Sequence, residues 1–516
     1  MVIPPFRNDP GTDFSVPEHR AAFGDAIAGV RRRLGATYPL LIGGREVTTG
    51  ETLHSMNPAH PAEIVGVHAM AGAGEVDAAV SAATAAFADW SCTPAEERAA
   101  ILLRASQVVR SRRHELSALM VLEAGKPWDE ADGETSEVID LLEWYARGML
   151  RLAGAEEVTP LPGELVSYRY LPLGVGAIIS PWNFPMALLT GMTSGAVATG
   201  NTVVVKPASN AATCAAWLLD VFREVRLPDG VINLLTGRGD IVGEGLVDHP
   251  DVRFIAFTGS REVGIRIYEH GARTPAGQRW LKKIQLEMGG KNALVVDETA
   301  DLERAAHEIV VSAFGFQGQK CSAGSRAIVV DRVYDDVVER VVEETRHLVL
   351  GDPVDPDVAV GPLIDAAAEH KVLGYVQIGR GEGRLLLGGA KPDREGHFVE
   401  PTIFGDVEPD ARIAQEEIFG PVLSTLRARD VDDALRIANG TEYGLTGSFF
   451  SRDPARIARA RTRFHAGNLY INRKSTGALM GVHPFGGFNM SGTDTKAGGP
   501  DYLLFFLQAQ AIGERL

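Results

Sequence analysis

Four short apolar runs, separated by helical patterns, constrain the fold of this chain more than any other feature. They are GVGAIIS, TVVV, VINLL and VRFIAF, at 174–180, 202–205, 231–235 and 252–257. Apolar strands that alternate with helices are typical of a parallel sheet covered on both faces by crossover helices. A second set follows, with strands predicted at 293–296 and 327–330 and helices near 301–314 and 334–348. We therefore expect two doubly wound α/β domains with a cleft between them.

The part of the chain before these strands is predicted to be mainly helical. A small hairpin is expected at 41–47, with helices near 75–90, 94–123 and 128–151. With 516 residues, the chain exceeds the size at which single cores stop growing. The stretch 170–205 has no charged residue, but prolines and glycines interrupt it. It therefore predicts a buried strand, loop, helix and strand, and no membrane helix.

Charge and cysteine content argue against several classes of partner. The formal net charge is −16, and the best basic run, RSRRH at 110–114, reads as the solvated face of the helix at 94–123. We therefore expect no nucleic-acid binding and no membrane partner. Cys92, Cys214 and Cys321 share no metal-ligand spacing, so no metal site is predicted. Three cysteines are too few for a disulfide framework, so we expect a reducing compartment, and the first residues lack the apolar core of a signal peptide, which favours the cytoplasm.

Two segments are more apolar than an isolated surface element requires. The stretch ELVSYRYL at 164–171 alternates like an exposed strand, and the chain ends in YLLFFLQAQAIGERL. Both could pack on their own subunit. An exposed apolar end and a two-faced strand also suit a subunit interface, which we favour. A homodimer or a multiple of dimers is therefore expected.

Three side chains have residue types suited to covalent carbonyl chemistry. Cys321 lies among small and polar residues in FQGQKCSAG, where a thiolate could attack a carbonyl. Glu287, in LEMGGKN after a strand-like segment, could be a salt-bridge partner or a buried general base. Asn183, in PWNFP, could donate its side-chain N–H to an oxyanion.

The ends of the predicted strands carry features that suit a nucleotide. TGRGD follows the strand at 231–235, and Thr258-Gly259-Ser260 opens a helix after the strand at 252–257. A helix N-terminus offers free N–H groups to a phosphate, but each motif alone is also typical of a plain turn. Lys206 ends the strand at 202–205 and could be a solvated end or a ligand of ribose hydroxyls.

Six motifs together resemble the aldehyde dehydrogenase superfamily along nearly the whole chain. They are PWNFP, KPAS, FTGS, EMGGK, GQKCSA and EEIFGP, in this order from 181 to 421. The segment NRKSTGALMGVHPFGGFNMSGTDTKAGGPDYL at 472–503 resembles the 1-pyrroline-5-carboxylate dehydrogenase branch of that family. The resemblance implies an NAD-binding domain at 1–155 and 172–287, a catalytic domain at 288–488, and an oligomerisation element at 156–171 and 489–516.

The resemblance also implies an activity and a role for each reacting residue. The branch oxidises L-glutamate γ-semialdehyde in proline catabolism. Cys321 would attack the aldehyde to give a thiohemiacetal, whose oxyanion is held by Asn183 and the Cys321 backbone N–H. Hydride transfer to NAD would leave a thioester, and Glu287 would activate the water that hydrolyses it to glutamate. A separate proline dehydrogenase could be a transient partner, since the chain contains no such domain.

The cofactor contacts implied by the resemblance come from several motifs. The expected cofactor-binding residues are Ile179, Trp182, Lys206, Ser209, Gly237, Ser260, Glu417 and Phe419. Many NAD-preferring relatives have glutamate where this chain has Ser209. A neutral serine would not repel a 2′-phosphate, so we expect NAD as cofactor with some activity with NADP.

The implied substrate contacts match the charges of an amino-acid semialdehyde. Ser322 and the backbone N–H groups of Gly477 and Ala478 would hold the α-carboxylate, although Gly477-Ala478 alone reads as a flexible loop. Phe184 and Phe485 would sandwich the aliphatic stem.

Three other interpretations compete with this one. The chain could be an aldehyde dehydrogenase for succinate semialdehyde or a betaine-type aldehyde, which would not need the amino-acid anchor. It could be a non-catalytic protein on the same fold, but such a protein is expected to lose Cys321, Glu287 or Asn183. It could be a thiol-based redox sensor, but Cys92 and Cys214 offer no resolving thiol.

Overall fold

The computed structural model describes residues 3–154 and 158–516, which form a mixed α/β chain. The strands are β1 Ala36–Tyr38, β2 Leu40–Ile42, β3 Arg45–Val47, β4 Thr52–Asn57, β5 His60–Ala69, β6 Glu164–Pro172, β7 Val175–Ile179, β8 Thr202–Lys206, β9 Ile232–Leu234, β10 Val252–Thr258, β11 Lys283–Glu287, β12 Asn292–Val296, β13 Gly324–Val330, β14 Arg384–Leu387, β15 Thr402–Gly405, β16 Val422–Ala428, β17 Tyr443–Gly444, β18 Thr446–Phe450, β19 Asn468–Ile471, β20 Phe488–Asn489 and β21 Leu507–Arg515. The α-helices are α1 Pro17–Arg31, α2 Ala73–Trp90, α3 Ala95–Ser111, α4 Arg113–Ala124, α5 Trp128–Leu152, α6 Ala187–Ala198, α7 Ala212–Glu224, α8 Glu244–Asp248, α9 Arg261–Gly271, α10 Leu302–Phe314, α11 Tyr334–Arg346, α12 Ala366–Glu382, α13 Arg412–Gln415, α14 Val431–Ala438 and α15 Pro454–Arg463.

The first large sheet contains all four apolar runs predicted as strands. Its strand order is β11-β10-β7-β8-β9-β2-β3, and the pairs from β11 to β9 are parallel. The predicted hairpin is β2–β3, which adds to the sheet antiparallel at β9. Every residue of β7 and β8 is buried because helices cover both faces of the sheet.

The second large sheet has the order β14-β15-β16-β13-β12-β18-β19 and is parallel except at the β14 edge. The sequence predicted β12 and β13 in this sheet. It missed β18, whose first residues Thr-Gly-Ser read as a turn although the strand is buried throughout. The two sheets confirm the predicted class, with two doubly wound α/β units.

The helix predicted at 94–123 is two helices. The chain leaves helical geometry at Arg112, where φ is −104° and ψ is 16°, so α3 and α4 meet at a kink. Gly125 then ends α4 in the left-handed region with a φ of +68°. A glycine suits this position because a side chain there would be strained.

The basic run at 110–114 is not a solvated face, so that interpretation was wrong. Arg110 donates to Asp9, and Arg113 donates to Asp9 and Asp132 at 2.6 and 2.7 Å. Arg113 and Asp132 are mostly buried. The run therefore pairs with acids of the N-terminal segment and of α5, which the periodicity of one helix could not reveal.

The strand predicted at 164–171 is β6, and its partner is the end of the same chain. β6 and β21 pair antiparallel from Pro172↔Leu507 to Glu164↔Arg515. The far side of this ribbon is open, and Leu165 and Ile512 are exposed. The interface role of the ribbon remains a prediction. The proposed domain boundary at 155/156 lies outside the described residues.

The residues before β21 complete the core of the first α/β unit. Tyr502, Leu503 and Phe506 are buried in the cluster that contains Phe254. The Phe254 and Phe506 ring centroids are 5.4 Å apart, and Tyr502 stacks on Tyr145 at 5.1 Å. The C-terminal segment is therefore part of the first hydrophobic core.

The uncharged stretch 170–205 forms the end of β6, then β7, a loop, α6 and β8, as predicted. In the part of the chain that the structure describes, helices long and apolar enough to cross a membrane are absent.

Candidate active site

Cys321 lies in a loop of unusual backbone conformation between α10 and β13. Phe316 and Gln317 both have positive φ, at 48° and 55°. This conformation is costly for residues other than glycine and persists only when surrounding contacts hold it. Gln317 supplies such contacts, because its Nε2 donates to the carbonyls of Gly125 and Pro362, each at 2.9 Å. The turn after α4 thus anchors the cysteine loop.

The cysteine itself is held at its carbonyl and is largely enclosed. Asn292 Nδ2 donates to Cys321 O at 2.7 Å, a contact that the sequence analysis missed although Asn292 ends the LEMGGKN motif. The pKa of the Cys321 thiol is raised to about 12, mainly by burial and in addition by the charges of Glu287 and Glu417. The backbone N–H of Ser322 opposes this shift. The resting side chain is therefore a thiol.

Asn183 lies on the loop after β7, beside the cysteine loop. It is buried, and its Nδ2 donates to the carbonyl of Gln319 at 3.0 Å. An amide nitrogen carries two hydrogens, so one remains for another acceptor. The arrangement therefore suits an oxyanion donor next to Cys321.

Glu287 is the last residue of β11 and is almost completely buried. Its two oxygens make no hydrogen bond of normal geometry with the described residues. Burial raises the pKa of the carboxyl well above its usual range, and the charge of Lys496 and the N–H of Gly487 oppose this. The two charges influence each other, since Glu287 raises the pKa of Cys321. A buried carboxyl beside a thiol is suited to proton transfer.

A cavity of about 440 Å³ opens at the carboxyl ends of β7, β8 and β10. This is the edge at which open α/β sheets bind nucleotides. Four of the predicted cofactor residues line it: Ile179, Trp182, Lys206 and Ser260. Burial lowers the pKa of Lys206 to about 8, and its Nζ donates to the carbonyl of Pro207 at 3.0 Å. Ser260 caps α9, whose free N–H groups face the cavity edge.

Ser209 and Gly237 lie beside this cavity and do not line it. The Ser209 hydroxyl donates to Gly237 O at 3.4 Å, and their neighbours Ala208 and Gly239 are lining residues. A Cβ on Gly237 would approach Val242 to 2.9 Å. The position therefore requires a residue without a side chain.

Glu417 and Phe419, just before β16 of the second sheet, contact segments that follow strands of the first sheet. Glu417 Oε1 accepts from the N–H of Gly290 at 3.0 Å. A Cβ on Gly289 would lie 2.2 Å from the Glu417 carboxylate, so this carboxylate rests directly on the backbone. Phe419 meets the Trp182 ring edge-on at a centroid distance of 5.5 Å. These contacts join the cofactor edge of the first sheet to the second sheet.

The predicted substrate residues lie on three segments. Phe184 packs edge-on against Phe316, with ring centroids 6.4 Å apart. The Ser322 carbonyl accepts from Ser475 Oγ at 2.9 Å, which ties the cysteine loop to the segment that carries Gly477 and Ala478.

The segment around Gly477 has a defined conformation and a positive charge. Gly477 has a φ of +73°, and its carbonyl accepts from Arg473 Nη2 at 2.9 Å. Phe485 pairs with Ala497 through two backbone hydrogen bonds of 2.7 and 2.8 Å. The sandwich of the substrate stem by Phe184 and Phe485 remains a prediction.

One ionisable residue near the thiol was missed by the sequence analysis. The pKa of Glu137, on α5, is raised to about 7, mainly by burial and in addition by the charge of Glu134. Glu137 in turn raises the pKa of Cys321. In the sequence it is one of several acids in a helical pattern, which reads as a solvated face. Among the described residues, clusters of three or more His, Cys, Asp or Glu that could hold a metal are absent.

Comparison with known proteins gives concordant matches. The family model described as "Aldehyde dehydrogenase family" matches residues 46–512. A relative from Geobacillus sp. (strain WCH70), named 1-pyrroline-5-carboxylate dehydrogenase, is 54% identical over 99% of this chain and 100% of its own length. The structure of a 1-pyrroline-5-carboxylate dehydrogenase from Thermus with bound NAD is 50% identical, covers 100% of both chains and has a TM-score of 0.99.

A longer protein also contains this fold. Proline utilization A (PutA) from Bdellovibrio bacteriovorus matches 100% of this chain with 54% of its own, at 44% identity and a TM-score of 0.98.

Proposed function

Because this chain belongs to the aldehyde dehydrogenase family, we propose that it oxidises L-glutamate γ-semialdehyde to L-glutamate with NAD. The semialdehyde is the open form of 1-pyrroline-5-carboxylate, and the reaction is a step of proline catabolism. The observation that carries the proposal is the hydrogen bond that joins Asn183 to the cysteine loop, beside a nucleotide-sized cavity that the neighbouring Trp182 lines. The charge of Glu287 also acts on Cys321. The relatives named 1-pyrroline-5-carboxylate dehydrogenase support the choice of substrate.

The first chemical step is addition of the Cys321 sulfur to the aldehyde carbon. The thiol loses its proton as the carbon–sulfur bond forms, and the carbonyl oxygen becomes an oxyanion. Asn183 Nδ2 and the Cys321 backbone N–H donate to this oxyanion, and each such donor typically contributes about 10²–10³ in rate. Burial favours the neutral thiol of the free enzyme, so the proton is released to solvent as the bond forms, and Glu287 is reserved for the later hydrolysis.

NAD bound in the cavity supplies the hydride acceptor that turns the thiohemiacetal into a thioester. The residues present fit the cofactor: the Ser260 cap of α9 suits a pyrophosphate, and Lys206 suits ribose hydroxyls. Glu417 on the Gly289–Gly290 backbone suits the second ribose. Trp182 and Phe419 present an aromatic corner for the nicotinamide.

The second step is hydrolysis of the thioester. Glu287 takes a proton from water, whose oxygen attacks the acyl carbon, and the Cys321 sulfur leaves as thiolate and is reprotonated. The raised pKa of Glu287 makes it a stronger base than an exposed glutamate once it is ionised. Its packing against Gly486 and Gly492 fixes where the carboxylate can point.

Substrate selection follows from charge. The α-carboxylate is bound by Ser322 and by the backbone N–H groups of Gly477 and Ala478, and the nearby guanidinium of Arg473 adds a favourable potential. The α-ammonium is balanced by Glu137, whose carboxyl is ionised more readily when a cation lies beside it. Phe184 and Phe485 enclose the stem. Succinate semialdehyde has no ammonium group and makes no use of Glu137.

The neutral side chain of Ser209 is compatible with NADP as well as NAD. A neutral serine at this position does not repel a 2′-phosphate, so activity with both cofactors is expected, with NAD preferred. Ser209→Glu should lower kcat/KM with NADP by at least 10-fold and leave kcat/KM with NAD within a factor of about three, since the added carboxylate repels only the phosphate. An equal loss with both cofactors would contradict this reading.

We propose an NAD-binding domain at 1–155 and 172–287 and a catalytic domain at 288–488, so that the two domains meet between 287 and 288. The break between β11 and β12 supports it. The β6–β21 ribbon is proposed as the oligomerisation element of a homodimer or a multiple of dimers. The three cysteines are free thiols, which supports a cytoplasmic setting. A separate proline dehydrogenase is proposed as a transient partner that delivers the substrate.

The test is NADH formation by the purified protein with pyrroline-5-carboxylate and, separately, with succinate semialdehyde. We expect a kcat/KM ratio of about 10² or more in favour of the former, roughly 2.7 kcal/mol of transition-state discrimination. Cys321→Ala, the control, should form no NADH with either. A preference for succinate semialdehyde would refute the proposed substrate and retain the chemistry. Failure with both would refute the proposed function.

A further inference from the structure

The turn between α4 and α5 contacts both loops that carry the reacting groups. The Lys126 ammonium lies over the Phe184 ring, 3.8 Å from its centroid, and over the Phe316 ring at 4.5 Å. Phe184 follows Asn183 directly, and Phe316 belongs to the loop that ends at Cys321. A single buried cation therefore contacts the oxyanion loop and the nucleophile loop at the same time.

The same cation is ion-paired to a residue that fixes the C-terminal end of the oxyanion loop. Lys126 Nζ pairs with Glu134 Oε2, and both side chains are 0% exposed. Glu134 Oε1 accepts from the N–H groups of Met186 and Ala187, at 2.8 and 3.0 Å. These N–H groups open α6, directly after PWNFP, and a helix N-terminus favours a carboxylate. The segment that directly follows Asn183 is thus attached to one ion pair at two points, at Phe184 through Lys126 and at Met186 through Glu134.

Stability alone does not account for this arrangement. Burying two charges costs desolvation free energy, and apolar residues of similar volume often serve folding as well or better. The pair instead fixes positions. A cation is attracted to the faces of aromatic rings, so Lys126 holds two rings from different loops next to each other. Small displacements of groups near a reacting carbon can cost about 10²-fold in rate.

We propose that Lys126, together with Glu134, is a positioning residue that sets the distance between the Asn183 amide and the Cys321 sulfur. The inference deepens the proposed function and rests on it, because it concerns the oxyanion formed on the aldehyde. Neither Lys126 nor Glu134 is proposed to touch the reacting atoms. Their effect passes through Asn183.

The experiment is a mutant cycle with kcat/KM for pyrroline-5-carboxylate as readout. Lys126→Met alone leaves the Glu134 charge buried without a partner and can unfold the protein. The pair Lys126→Met/Glu134→Gln removes both charges, and the Gln oxygen can still accept from Met186 and Ala187. This variant is compared with Asn183→Ala and with the combination of all three changes.

We expect the charge-removed pair to lower kcat/KM about 10- to 100-fold in the wild-type background. In the Asn183→Ala background the same pair should lower it less than threefold, since the group being positioned is gone. Phe316→Leu, which keeps the ion pair and removes one ring, should show the same dependence on Asn183. Equal losses in both backgrounds would overturn the proposal, because a general loss of structure does not depend on Asn183.

A matched control exists on the same two helices. Arg113→Met/Asp132→Asn removes another mostly buried ion pair that joins α4 to α5, whose further hydrogen bonds go to Asp9, Thr12 and Ser136. It should lower Tm without changing kcat/KM by more than about threefold, since the effects of mutations at sites without shared contact partners are independent. A similar activity loss in this control would also overturn the proposal. An inactive wild-type enzyme would instead refute the proposed function, so the two failures are distinguishable.

Discussion

At the scale of single residues, the site contains two ionisable side chains, Cys321 and Glu287, whose pKa values are both raised by burial. Each also disfavours ionisation of the other, because two negative charges in one enclosed place repel. Both shifts therefore favour the uncharged forms of the reacting groups. The reactive thiolate and carboxylate form when pH rises or when a bound ligand changes the local charge.

Glu287→Gln should stop turnover after one cycle. Addition to Cys321 and oxidation leave a thioester, and its hydrolysis lacks a base in this variant. We expect kcat to fall about 10²- to 10⁴-fold, with a rapid burst close to one NADH per subunit in stopped flow. In the wild type, kcat should decline as pH falls, because the pKa of Glu287 is raised and the base becomes protonated sooner than a free glutamate. Loss of the burst would show that Glu287 is needed before hydrolysis.

Alkylation of Cys321 by iodoacetamide should be slow at neutral pH in the free enzyme. A thiol with a pKa near 12 is protonated there, and its thiolate fraction rises about tenfold per pH unit. The rate of activity loss should therefore keep rising from pH 7 to 10. Cys92→Ser, which removes the exposed thiol and keeps Cys321, should lose activity at the same rate. A plateau below pH 9 would contradict the raised pKa.

The sequence was sufficient to select those site residues that lie in a recognisable short motif. Cys321, Glu287 and Asn183 could be chosen from their residue types and neighbours, and their assigned roles remain proposals. Glu137 and Lys126 could not be chosen in this way. Whether a charged residue on or before an amphipathic helix is buried depends on which other segments cover it, and that information is absent from the local pattern.

At the scale of elements, the site is assembled where strands end. Lys206 ends β8, Glu287 ends β11, and the Asn183 loop follows β7. Buried apolar strands were predictable because their composition alone sets them apart. The kink between α3 and α4 was not, since no proline or glycine marks the break at Arg112. β18 was missed because its composition resembles a turn while its position in the sheet is central.

The turn between β11 and β12 should control cofactor binding through Glu417. Gly289→Ala places a methyl group where the Glu417 carboxylate lies. We expect the KM for NAD to rise about 10-fold, corresponding to roughly 1.4 kcal/mol, with the KM for the aldehyde little changed. Gly374→Ala is the matched control, because a Cβ on that exposed glycine of α12 meets no atom within 4 Å. An unchanged KM for NAD would mean that Glu417 does not bind the cofactor.

At the scale of the whole molecule, residues from both α/β units form the site, and the C-terminal strand β21 pairs with β6. The first sheet supplies the cavity, the second supplies Glu417 and the segment around Gly477, and the cysteine loop lies between them. The class of both sheets could be predicted from the sequence. The pairing of β6 with β21 could not, because the two strands are far apart in the chain and each reads only as an exposed apolar segment.

Removal of residues 507–516 should separate subunits without unfolding them. The deletion removes β21 and leaves the buried 502–506 segment in place. We expect the shortened protein to sediment as a monomer and to keep the far-UV circular dichroism of the full chain. The substitution Ile512→Lys, at an exposed position of β21, should weaken association to a lesser degree. A shortened protein that keeps the mass of the full assembly would refute the interface role of the ribbon.

The contribution of Tyr502, Leu503 and Phe506 to the first core has a consequence for how the protein is made. A ribosome delivers the amino end first, so the strands of the first sheet emerge before the segment 502–506, which completes their hydrophobic core, has been synthesised. At about 5–20 residues per second, the roughly 260 residues after β10 take about 13–50 s to appear. During that interval the nascent chain presents an apolar surface around Phe254. Synthesis of this enzyme should therefore depend on chaperone binding to the half-made chain.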